Sequence, residues 1–128
     1  MAEEVKNRYS DEELQEFKAI IMERLEEARA EYNSLRERIA NIYDASPSFK
    51  SVEESASIHL SIEEASQQAE REYKFIQHLE AALGRIENKT YGVCRVTGKL
   101  IPKERLRLVP HATLTVEAKE MLAKMGKN

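Results

Sequence analysis

The chain's one cysteine, Cys94, lies near the start of the stretch YGVCRVTGKLIPKERLRLVPHATLTVEAK, residues 91–119. The order is that of a small metal-stapled ribbon: an aromatic-Gly-x-Cys opening, a Gly-Lys turn, a basic strand, a proline and a short helix. A thiolate is a good zinc ligand, but structural zinc takes four N, S or carboxylate donors in a tetrahedron. No second cysteine is available to join it, and the same count rules out an intrachain disulfide. His59, His78 and His111 are scattered, with no His-x3-His pair, and no glycine-rich phosphate loop occurs. His59 and His78 read as solvated surface residues. The run Lys103-Glu104-Arg105-Leu106-Arg107 could touch phosphate, but reads better as the solvated face of a strand. No grouping of nucleophile, acid and base stands out, so the chain is not expected to be an enzyme.

The elements that position these residues follow from composition and periodicity. In 128 residues, 34% are charged and 6% aromatic, with no Trp. That is little bulk for a globular core, but enough for the narrow apolar stripe of a long-helix or coiled-coil protein. A net charge of -3 disfavours wholesale nucleic-acid binding. The first ten residues carry no apolar leader, and no apolar run is long enough to span a membrane. The expectation is a soluble, cytoplasmic protein.

Ser10 followed by Asp11, Glu12 and Glu13 starts a helix, with Ser10 and Glu13 at capping-box spacing. Apolar residues recur at Leu14, Phe17, Ile21, Leu25, Ala28, Tyr32, Leu35, Ile39 and Ile42, a coiled-coil seam. The helix is expected to end near Tyr43, about 50 Å from its start at 1.5 Å per residue. The segment 44–50, DASPSFK, breaks it. A second capping pair, Ser51 and Glu54, opens helix two. Its stripe is Ile58, Ile62, Ala65, Ala69, Tyr73, Ile76, Leu79, Leu83 and Ile86, ending at Asn88-Lys89. So short a connection makes the helices antiparallel. The expected fold is mainly α: a long antiparallel helical hairpin (11–88, tip at 44–57), then a small zinc-ribbon-like globular end and a C-terminal helix (91–128). Residues 1–10 pack on that globular end. Gly98 supplies a positive φ for the ribbon turn and Thr113 caps the last helix. The ribbon's packing centres on Val96, Ile101, Leu106 and Leu114.

A hairpin followed by Tyr91-Gly92-Val93-Cys94, Gly98, Ile101, Arg105-Leu106 and Pro110 resembles the DksA/TraR family of bacterial transcription regulators. The resemblance implies that the family's four metal positions fall on Cys94, Thr97, Thr115 and Ala118. One thiol, two hydroxyls and a methyl are not a zinc set, so no cofactor is expected, and Cys94 should pack as a small buried hydrophobe.

The resemblance also implies a partner, RNA polymerase, with the hairpin tip inserted in its secondary channel to modulate initiation. The family's tip pattern of two acids and an alanine falls on Ser51, Glu54 and Ala56, and a polymerase-contacting position on Arg71. Ser51 and Glu54 equally form the capping pair. The family's cationic positions for the alarmone ppGpp fall on His78, Val109 and Lys119, of which only Lys119 keeps a fixed charge; that site is expected to be weakened. Neither sequence-specific DNA nor a membrane is an expected partner. The competing reading is an adaptor hairpin that mediates protein–protein contacts without polymerase.

Overall fold

The computed structural model describes residues 8–45 and 52–126. Among the described residues four helices appear in order: α1 (Asp11–Ala45), α2 (Val52–Glu87), α3 (Lys103–Leu108) and α4 (Val116–Lys124). The described residues hold no strand, only an isolated antiparallel bridge between Val93 and Leu100. No helix among them is long and apolar enough to cross a membrane. The chain divides into two compact units, Leu25–Gln77 and the residues on either side of it.

α1 begins as its first residues dictate. The Glu13 N–H donates to Ser10 Oγ at 3.1 Å, and the Ser10 N–H donates to Glu13 Oε1 at 2.8 Å. Two otherwise orphaned N–H groups are thereby satisfied reciprocally. The expected break at Asp44 does not occur, because α1 runs through Ala45. Pro47 restricts only the residue before it, so nothing in the backbone stops the helix at Asp44. Val52–Ser57 are also helical, which narrows the expected tip of 44–57. The Ser51 cap lies outside the described residues.

In the unit Leu25–Gln77 the two helices run antiparallel. Tyr32 meets Tyr73, and Ile42 lies beside Ile58 in one cleft, so numbers rise on one helix as they fall on the other. Leu25, Ala28 and Leu35 are buried with Ala65, Ala69 and Ile76. Tyr73 departs from the expected stripe, being 48% exposed while Glu72 is half-buried. Its ring lies instead against Tyr32, centroids 5.8 Å apart.

In the other unit, Leu14, Phe17 and Ile21 of α1 and Leu79, Ala82 and Ile86 of α2 are buried with Tyr91, Ile101 and Leu106. Three aromatic rings run through this core: Tyr9 edge-on to Phe17 at 5.5 Å, and Phe17 tilted on Tyr91 at 5.3 Å. The Tyr9 hydroxyl donates to the Ile101 carbonyl, and that of Tyr91 donates to the Pro110 carbonyl at 2.8 Å. α2 closes with Lys89 at φ 64, while the Thr90 N–H returns to the Arg85 carbonyl at 2.9 Å. That satisfies the last carbonyls in the manner of a Schellman cap.

The expected basic strand is a helix. Pro102 lacks the N–H that a strand ladder would use and precedes α3 at φ -57. Leu106 and Leu108 would share one face of a strand, but two residues along a helix point apart. Leu106 is fully buried and Leu108 is 79% exposed. Val96, expected at the centre of the packing, is also exposed. α4 is capped by Thr115, not Thr113: Thr115 Oγ1 accepts from the Ala118 N–H at 3.1 Å.

Two ion pairs join the start of α1 to later segments, Glu13–Lys103 at 2.7 Å and Asp11–Lys89 at 2.9 Å. The hydrogen bonds from Lys103 and from the Ser10 backbone bring the Glu13 carboxyl down to about 2. Its folded pKa thus lies below its unfolded value, so its contribution is present above the ordinary glutamate range and fades as pH falls toward 2. We expect Glu13→Gln to lower the urea midpoint at neutral pH and to match the parent near pH 2. An equal gap at both pH values would exclude this ion pair as the cause.

Candidate functional site

Three places on the chain carry the chemistry of interest. The first surrounds Cys94. Gly92 at φ 80 turns the chain, the Cys94 N–H donates to the Lys99 carbonyl at 2.8 Å, and the Gly98 N–H returns to the Cys94 carbonyl at 2.9 Å. Gly98 itself has φ 75, as the turn required. The Arg95 N–H donates to the Thr113 carbonyl at 2.9 Å and so brings the segment before α4 alongside. Thr115 then points both its N–H and its hydroxyl at Cys94 Sγ, at 3.5 and 3.8 Å. Cys94, Thr115 and Ala118 are all buried. Thr97 is exposed, and its hydroxyl reaches the same sulfur. Burial pushes the thiol up, but the Thr97 hydroxyl and the N–H groups of Thr115, Thr97 and Val96 outweigh it and bring it down to about 6. The sulfur is buried as expected, yet it sits in a nest of donors that favours thiolate, not in a purely apolar pocket.

The second place is the hairpin end. Glu54 lies in the first turn of α2 and Ala56 in the next residues, both exposed. Ser51 is outside the described residues. Arg71 is exposed on α2 within the same unit.

The third is a cavity of about 510 Å3. Lys119 lines it together with His78 and Val109, so three positions far apart in sequence come together. Arg85 from α2, Arg95, and Arg105 from α3 line it too. Arg85 Nη2 donates to the His111 carbonyl at 3.4 Å and Arg105 Nε to the Leu114 carbonyl at 2.9 Å. The cavity that Lys119 lines therefore holds four fixed cations. Sequence reasoning missed three of them because Arg85 belongs to a helix and Arg105 had been placed on a strand. It also treated the histidines as scattered, whereas His78 and His111 stack at 5.5 Å.

Residues 89–120 match the family model described as the prokaryotic dksA/traR C4-type zinc finger. Over 88% of its length the chain is similar to the structure of transcription factor DksA2 from Pseudomonas aeruginosa, with 28% identity, a TM-score of 0.81 and 84% of that chain covered. Residues 89–120 belong to the DksA/TraR zinc-finger family. Among curated proteins, the chain is 43% identical over 51 residues to the RNA polymerase-binding transcription factor DksA of Caulobacter vibrioides (strain NA1000 / CB15N), covering 40% of this chain and 36% of that one. It is 47% identical over 45 residues to general stress protein 16O of Bacillus subtilis (strain 168), covering 35% and 28%. The chain thus spans only 36% of the first of these relatives and 28% of the second.

The family match corrects the expectation of no cofactor: the segment is matched by a C4 zinc finger, and a C4 finger is a zinc-binding module. Against that, Cys94 is the sole thiol, and the described residues contain no group of three or more His, Cys, Asp or Glu placed to hold a metal. At Thr115 and Ala118 a cap and a methyl occupy the buried space, so these side chains do not fit a four-sulfur zinc ion.

Proposed function

We propose that the chain binds RNA polymerase and regulates transcription initiation, the end of its helical hairpin entering the secondary channel. The fold likeness to transcription factor DksA2 along most of the chain carries this reading. The tip then presents Glu54 and Ala56, with Ser51, to the active-site region, and Arg71 makes contact further along the hairpin. The cationic cavity serves ppGpp: phosphate recognition needs cations or aligned N–H donors, and Arg85, Arg95, Arg105 and Lys119 offer both charge and forked donors. Its four fixed charges support a stronger alarmone site than the three family positions alone.

The test pairs co-purification with core polymerase and in vitro transcription from a promoter with a short-lived open complex. Glu54→Ala is expected to weaken regulation and leave binding intact. Arg71→Ala is expected to weaken binding itself, by roughly 1–2 kcal/mol for an interface arginine. Ser51→Asp should keep or strengthen the effect, since Asp is as good a helix cap as Ser. A parent chain that fails to co-purify with polymerase would remove the proposal, and a Glu54→Ala variant that regulates like the parent would remove the tip's part in it.

A further inference from the structure

The cationic cavity holds two groups whose charge is not fixed. His78 comes from α2 and His111 from the segment before α4; their rings stack with centroids 5.5 Å apart and planes at 29°. Charged groups face them from every element that lines the cavity: Arg85 on α2, Arg95 after the Cys94 turn, Arg105 on α3 and Lys119 on α4. No carboxylate lines it. Protonating either ring therefore adds a fifth positive charge to a confined space that already holds four. Burial, then His78 and Arg85, hold the His111 imidazole below the usual histidine range. A bound polyanion reverses this balance, because opposite charge at close range favours the protonated ring.

We propose that the cavity takes up a polyphosphate-class anion together with a proton, His78 and His111 acting as the proton-accepting pair, so that occupancy rises as pH falls through the histidine range. This rests on reading the cavity as an anion site. The step is a proton transfer: an imidazole nitrogen gains an N–H bond as a solvent hydronium gives up an O–H bond and becomes water when the anion enters. By linkage, each proton taken up steepens affinity by up to about tenfold per pH unit between the free and bound titration midpoints.

The full-length chain can be tested with myo-inositol hexasulfate, whose sulfates stay ionised throughout the range and so contribute no proton of their own. Histidine ring signals are followed by NMR against pH, with and without the probe, and affinity is measured calorimetrically at pH 8 and pH 6. The titration midpoints of His78 and His111 are expected to rise with the probe, while that of the exposed His59, outside the cavity, stays put. Binding should tighten from pH 8 to pH 6 by about tenfold or more. His78→Gln should flatten that dependence; Lys119→Ala should weaken binding at both pH values. Equal affinity at the two pH values with unmoved midpoints overturns the proton coupling and leaves the anion site standing. No binding at either pH overturns the anion reading and this inference with it.

Discussion

Gly92→Ala is expected to be among the most damaging single substitutions in the chain. Gly92 has φ +80, and a Cβ there would lie 2.6 and 2.7 Å from two carbons of the Tyr9 ring, with Leu106 at 3.3 Å. The backbone strain costs about 1–3 kcal/mol. Displacing a ring that is itself wedged against Phe17 and hydrogen-bonded to Ile101 adds roughly another 1–3 kcal/mol. Gly98→Ala is the control. It has φ +75 but open space around it, so only strain remains, about 1–2 kcal/mol. Urea unfolding of both variants separates the terms. A double variant with Tyr9→Ala should show coupling, because removing the ring removes the clash. Equal losses at the two glycines would mean that Tyr9 does not pack where the structure puts it.

Leu106→Ala is the second large effect. The side chain is fully buried, and truncating a buried leucine costs about 2–5 kcal/mol. Leu108→Ala, two residues on and 79% exposed, should stay within about 0.5 kcal/mol of the parent. The contrast discriminates between conformations. A strand would bury both leucines on one face and make the two losses comparable; a helix separates them. Similar costs at both positions would restore the strand.

The hairpin was legible because its signals are local. A capping pair and a 3–4 spacing of apolar residues each act within a few residues, and both recur in the structure at Ser10–Glu13 and along α1 and α2. Tyr73 departed from the seam because a large ring is placed by what it lies against, here Tyr32, and not by spacing alone. The Lys103–Leu108 segment failed for a different reason. Alternating arginine and leucine over residues 105–108 satisfies a strand template, and only the proline before the segment argued otherwise.

Around Cys94 the motif located the turn and the buried sulfur. It did not disclose that Thr115 serves both as the cap of α4 and as a donor to that sulfur, because the two residues are 21 apart in sequence. Tyr9 went unnoticed for the same reason, its acceptor being 92 residues away.

By itself the sequence determined the two long helices, their antiparallel return, the glycine turn at Gly98 and membership of a family with a ribbon-like end. Each depends on backbone preferences or periodic burial, which short-range residue order encodes. The tertiary structure alone decided which of several cations share one cavity, that two histidines 33 positions apart stack there, and that a tyrosine before the first helix closes over Gly92. Those outcomes depend on how separate segments pack against one another, and close packing selects partners by shape and distance in space, which no local pattern records.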